Sequence, residues 1–108
     1  MEGLELIAFQ IISAVGTARS CYIEAIQEAK RGDYAAAEKL IAEGDTAFVE
    51  GYDAHAGLLQ QEAEKGGGVV NLLLLHAEDQ LMSAEGFKTI AQEFIEVYQR
   101  FDQEGRTV

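Results

Sequence analysis

An all-α fold, an antiparallel up-down bundle of three helices, is predicted by three features of this sequence. Its 108 residues include no proline, and its long runs of Ala, Glu, Leu, Gln and Ile favour helix. Apolar positions recur at helical spacing along most of its length, and strong breakers cluster at Gly32 and at Gly66-Gly67-Gly68. A chain of this length supports one domain, covering residues 1–108.

The first segment places Leu4, Ala8, Ile11, Val15, Ala18, Tyr22, Ala25 and Ala29 at alternating spacings of four and three, the seam of a left-handed bundle. Gly16 lies within it, and a close helix approach is the expected reason for a residue that weakens a helix by about 1 kcal/mol. Lys30-Arg31-Gly32 supplies two cations for the helix C-terminus and then a glycine suited to a left-handed cap. Asp33 follows and can cap a second helix.

That second helix carries Tyr34, Ala37, Ile41, Gly44, Phe48, Gly51, His55, Leu58 and Glu62 at near-heptad spacing. Gly44, Gly51 and Gly57 lower its intrinsic propensity, so packing must hold it. Lys65-Gly66-Gly67-Gly68 marks its end.

The third helix is expected from about Val69 to about Phe101, with Gly105 through Val108 as a frayed tail. Its apolar arc holds Leu72, Leu73, Ala77, Ala84, Phe87, Ile90, Ala91, Phe94, Ile95, Val97, Tyr98 and Phe101, with Leu74, Leu75 and Leu81 widening the first turns. Two neighbours cannot cover so much surface, and copies of the same chain are the simplest cover. A cyclic homo-oligomer is therefore expected, with the third helix near its axis.

The balance of 19 acidic against 8 basic side chains, a net charge of −11, argues against nucleic-acid binding and against adsorption to anionic lipid. It suits docking to a positively charged protein face. The single cysteine, Cys21, allows no internal disulfide, as expected in a reducing cytoplasm. The acidic start, Met1-Glu2-Gly3-Leu4-Glu5, is unlike a signal peptide. The run from Val69 to Leu75, interrupted by Asn71, is far short of a bilayer span.

Candidate chemistry centres on Leu75-His76-Ala77-Glu78-Asp79-Gln80-Leu81-Met82. At 100° per residue His76 lies opposite a polar arc of Glu78, Glu85, Thr89, Gln92 and Glu96, in line with Ser83, Phe87 and Phe94. Asp79 and Gln80, at i+3 and i+4, are its polar neighbours. Two readings stand: a packed, satisfied histidine, or a nucleophile kept neutral by partial burial.

This segment resembles the active-site helix of the lactose/cellobiose class of enzyme IIA components in the phosphoenolpyruvate-dependent sugar phosphotransferase system. Phe9-Gln10-Ile11-Ile12, Gly16-Thr17-Ala18-Arg19-Ser20, Glu24-Ala25, Gly32-Asp33-Tyr34 with Ala37, and Glu62-Ala63 are similar to that family in the same order. The resemblance implies a three-helix bundle assembled as a homotrimer. It implies that His76 accepts a phosphoryl group from the histidine phosphocarrier protein and passes it to a cysteine of enzyme IIB during disaccharide uptake. It further implies that Asp79 gathers near the trimer axis with a divalent cation, Mg²⁺; the other reading of Asp79 is a simple polar contact to His76 or to the first helix.

Two positions depart from the family pattern. Gln80 stands where the family has a second histidine. His55 occupies a glutamine position of helix two, whose usual histidine is here Tyr52. His55 and Gln80 are expected to touch across the bundle and line the site together. Arg19 is read either as closing the first helix against a carboxylate or as a phosphate contact. Cys21 is read as a small core hydrophobe. A competing function is a non-catalytic helical oligomer with a regulatory or scaffolding role, in which His76 only packs.

Overall fold

The computed structural model describes residues 3–64 and 72–105, which form three helices: α1, Gly3–Lys30; α2, Tyr34–Glu64; and α3, Leu72–Gln103. The expected glycine loop, the start of the third helix at Val69 and the tail beyond Gly105 lie outside the described residues.

The turn between α1 and α2 forms as its sequence dictates. Gly32 takes a left-handed φ of 84°. Asp33 N–H donates to Glu28 C=O and Gly32 N–H to Ala29 C=O, each at 3.0 Å, which closes the last carbonyls of α1 in a Schellman motif. The Asp33 carboxylate then accepts from Ala36 N–H at 3.0 Å and caps α2. Two helix ends are satisfied within four residues of chain.

Registers follow from the cross-helix neighbours. Gly44 lies against Tyr22 and Gly51 against Val15, so α2 runs antiparallel to α1. Asp45 meets Lys88 and His55 meets Glu78, so α3 runs antiparallel to α2. The path is up-down-up, as expected. α1 packs extensively on both other helices, whereas α2 and α3 touch each other sparingly.

The interior is built largely of small side chains. At one end Ala18, Tyr22, Ala25 and Ala29 pack with Ala37, Ile41, Ala91 and Ile95. At the other Ala8, Ile11 and Val15 pack with Ala77, Leu81 and Ala84, and Phe48 touches both groups. Alanine and glycine faces bring backbones close. A Cβ on Gly44 would stand 2.6 Å from Tyr22, and one on Gly51 2.8 Å from Val15. Gly16 is different: open space surrounds its missing Cβ, so the close approach expected there is not its role.

Tyr22 is fully buried, and its hydroxyl donates to Asp45 Oδ1 at 2.7 Å. Lys88 Nζ reaches the same oxygen at 3.1 Å, tying all three helices at mid-height. Burial, then the bond to Asp45, pushes the phenol of Tyr22 well above its ordinary value.

Gyration radius is 17.1 Å and the extents are 58 × 21 × 19 Å, a rod where a compact domain of this length would have a radius near 13 Å. Leu72, Leu75, Met82, Ile90, Phe94 and Val97 of α3 are all exposed. So are Val49, Tyr52 and Leu59 of α2. The surplus apolar surface inferred from the sequence is present.

α1 also passes the length and composition test for a membrane span, with a mean hydropathy of 1.4 over 18 residues. The physical reason is visible in the fold, where the central helix of a bundle needs apolar faces toward two neighbours.

Candidate functional site

The inward face of α3 is set by Leu74, Ala77, Leu81, Ala84, Ala91 and Ile95. Glu78 flanks this face on the α2 side, where it approaches His55, and Gln80 flanks it on the α1 side, where it bonds Arg19. His76 lies about 40° beyond Gln80 at 100° per residue, and it is exposed.

This placement corrects the expected partial burial of His76 within the chain. The apolar arc of α3 is so wide that spacing alone did not show which half faces the chain's own core. Alanines turn inward, where helices approach closely. The large residues Leu72, Ile90, Phe94 and Val97 turn outward, and His76 goes with them. Glu78, expected on the wet face, is instead half-buried toward α2.

Asp79, one turn from His76, is exposed on this outward stripe. Among the described residues of the single chain, no three His, Cys, Asp or Glu side chains gather to hold a metal ion. Any cation at Asp79 would need carboxylates from further copies of the chain.

The Gln80 side chain is committed elsewhere than expected. Arg19 Nη1 donates to Gln80 Oε1 at 2.6 Å, a partly buried link between α1 and α3. Arg19 thus closes on an amide, not on the carboxylate foreseen. His55 faces the other flank of α3, with Nε2 at 3.5 Å from Glu78 Oε1 and without a hydrogen bond among the described residues. The expected exchange contact between His55 and Gln80 is replaced by two separate pairings on opposite sides of one helix.

Cys21 is half-buried, and burial, with Glu43 and Glu24 nearby, raises its thiol above the ordinary value. A thiol held protonated is a poor nucleophile, in keeping with the hydrophobe reading. A groove of about 680 Å³ runs between α1 and α2, lined by Leu6, Phe9, Ser13, Thr17, Glu50 and Ala54 among others. No residue of α3 lines it, so it is remote from the imidazole chemistry.

The Tyr22–Asp45–Lys88 tie was not foreseen. A tyrosine in the apolar seam of the first segment was the only signal, since a buried phenol needs a partner for its hydroxyl.

What the outward stripe can do chemically is present an accessible imidazole, with an arginine bonded to Gln80 one turn further along the helix. Three comparisons bear on this arrangement. The sequence model of the family described as "PTS system, Lactose/Cellobiose specific IIA subunit" matches residues 6–99. A "PTS system lactose-specific EIIA component" of Staphylococcus aureus is 33% identical over 99 residues, 92% of this chain and 96% of the relative. Among solved structures, the cellobiose-specific enzyme IIA from Bacillus anthracis superposes with a TM-score of 0.91 at 37% identity, covering 95% of this chain and 94% of that one. The IIA(chitobiose) in a complex with HPr from Escherichia coli superposes at 0.83 with 30% identity, covering 94% and 99%.

Proposed function

Because the chain belongs to the lactose/cellobiose-specific IIA subunits of the sugar phosphotransferase system, and so is a phosphocarrier of sugar uptake, we propose that the phosphoryl group is carried on His76. The observation that carries this reading is the exposure of His76 on α3, in the run that resembles the family's active-site helix. A relay histidine has to be reached by two different proteins in turn, and only a surface ring meets that demand.

The donor is the histidine phosphocarrier protein, in line with the HPr complex formed by the chitobiose relative. A neutral ring nitrogen of His76 attacks the donor's phosphoryl group. An N–P bond forms here as the donor's N–P bond breaks, and the donor imidazole leaves with its electron pair. The thiolate of an enzyme IIB cysteine then attacks the same phosphorus, and His76 is regenerated. Such transfers need alignment and charge stabilisation more than covalent help from the protein. The net charge of −11 suits the approach of basic partner faces.

The assembled state is a homotrimer with the Leu72–Asp79–Ile90–Val97 side of α3 at its centre, and His76, about 40° round from Leu72 and Ile90 toward the α1 flank, at the edge of that contact where partners still reach it. The exposed Leu72, Ile90, Phe94 and Val97 support it. Three Asp79 carboxylates would then meet near the axis, where they repel unless protons or a cation intervene. Mg²⁺ with its oxygen preference fits that donor set and would screen the repulsion. The protein works in the cytoplasm, where its partners and a reduced Cys21 belong. Gln80 stands in place of the family's second histidine and lines the site beside His76 through its bond to Arg19.

Incubation with phosphoenolpyruvate, enzyme I and the phosphocarrier will add one phosphate per chain, readable as an intact-mass shift. His76→Ala will abolish it. Labelling that survives in His76→Ala overturns the assignment.

A further inference from the structure

Three cations of the described chain are matched with carboxylates: Arg31 with Glu28 at 2.7 Å, Lys88 with Asp45 at 3.1 Å, and Arg100 with Glu104 at 3.7 Å. Arg19 takes a neutral partner instead. Its Nη1 donates to Gln80 Oε1 at 2.6 Å, and it makes no ion pair among the described residues. An arginine has five N–H donors in a planar fork, so one bond to an amide leaves its charge intact and other donors available.

The location of that charge matters. Gln80 follows His76 by four residues, so the two side chains are neighbours on one helix flank. A phosphoryl group on His76 would bring about −1.5 to −2 charges into a turn that already carries Asp79 and Glu78. α3 offers no Lys or Arg from Leu72 to Phe87, and the next residue, Lys88, is held by Asp45. Arg19, reaching over from α1, is the cation that the described fold brings to this turn.

Resting on the assignment of His76 above, we infer that Arg19 receives the phosphoryl oxygens of phospho-His76, and that Gln80 is the positioning residue that holds the guanidinium in place. An amide suits this task better than a carboxylate would. It orients the fork without neutralising it, and it adds no charge to repel the phosphate. The half-buried setting of Arg19 means its side chain is already ordered before the phosphoryl group arrives.

The decisive variants are Gln80→Glu, Arg19→Gln and Arg19→Lys, each checked by helical circular dichroism and thermal melting. The same phosphoenolpyruvate relay is used, recording the rate of phosphate incorporation, its dependence on phosphocarrier concentration, and the hydrolysis half-life of the phosphorylated chain. Gln80→Glu preserves the cross-helix link and even charges it. A purely structural link therefore predicts no loss, whereas a phosphate-binding role predicts slower labelling. The maximal labelling rate should fall on the order of 10- to 100-fold in Arg19→Gln and Gln80→Glu, with little change in apparent affinity for the phosphocarrier. Arg19→Lys should recover part of the loss, and phospho-His76 should hydrolyse faster wherever the guanidinium is lost. Wild-type labelling rates and half-lives in both Gln80→Glu and Arg19→Gln overturn the inference while leaving His76 standing. If Arg19→Gln fails to fold, Gln80→Glu alone decides. Absence of label in the wild-type chain, or label persisting in His76→Ala, overturns the His76 assignment instead.

Discussion

Gly44 and Gly51 are required by contact, while Gly57 and Gly16 are not. Gly51→Ala would press a methyl into Val15, a β-branched side chain with little freedom to yield. It should destabilise the chain by about 1–3 kcal/mol, read as a lower urea midpoint. Gly57→Ala meets only open space on a helix surface and should stabilise it by up to about 1 kcal/mol. Equal effects of the two changes would refute the close approach of α1 and α2.

Tyr22 carries a second residue-scale consequence. Its phenol is raised in the folded chain by burial and by the bond to Asp45, so the fold favours the protonated form. The corresponding stability is fully present below the ordinary phenol value near 10 and is lost as pH rises above it. Tyr34, bonded to Asp102 at the bundle end, is pushed up to about 12 by that hydrogen bond and adds in the same direction. Urea midpoints measured from pH 8 to pH 11 should fall with a steeper slope in wild type than in Tyr22→Phe. A parallel pair of curves would show that Tyr22 does not couple to folding.

At the scale of elements, the α1–α2 turn was legible almost to the atom. Cap motifs are local, and Gly32 followed by Asp33 satisfies one helix end and then the next. The spacing of the first segment was equally informative, since Ala8, Ile11, Val15, Ala18, Tyr22, Ala25 and Ala29 are all buried. α3 was harder. Nearly all of its circumference except the Glu78–Glu85–Glu96 side is apolar or small, so the wheel fits two orientations equally well. The rule that resolves them is size: alanine marks the face packed within the chain, and bulky residues mark the face left over. Spacing placed His76 and Asp79 on one face of α3, and both are exposed there. The partners of Gln80 and His55 were not legible, because side chains flanking a helix face choose between two neighbours that spacing does not distinguish.

On the scale of the whole molecule, a rod 58 Å long with a row of exposed leucine, isoleucine, phenylalanine and valine is an incomplete object in water. Sedimentation equilibrium should give three times the 11.8 kDa chain mass. Ile90→Asp, placing a charge in the middle of the stripe, should shift the species to monomer while helicity largely persists. A wild-type chain that sediments as a monomer at micromolar concentration would remove the trimer from the proposal.

The sparse meeting of α2 with α3 has a consequence for how the rod breathes. α1 acts as a spine to which two leaves are fastened separately, and the seam between the leaves is stitched by charge at Lys88–Asp45 and by the approach of His55 to Glu78. Opening that seam breaks few contacts, so it is a low-cost fluctuation of the fold. Helix α3 can therefore shift its tilt against α2 while α1 keeps its grip on both.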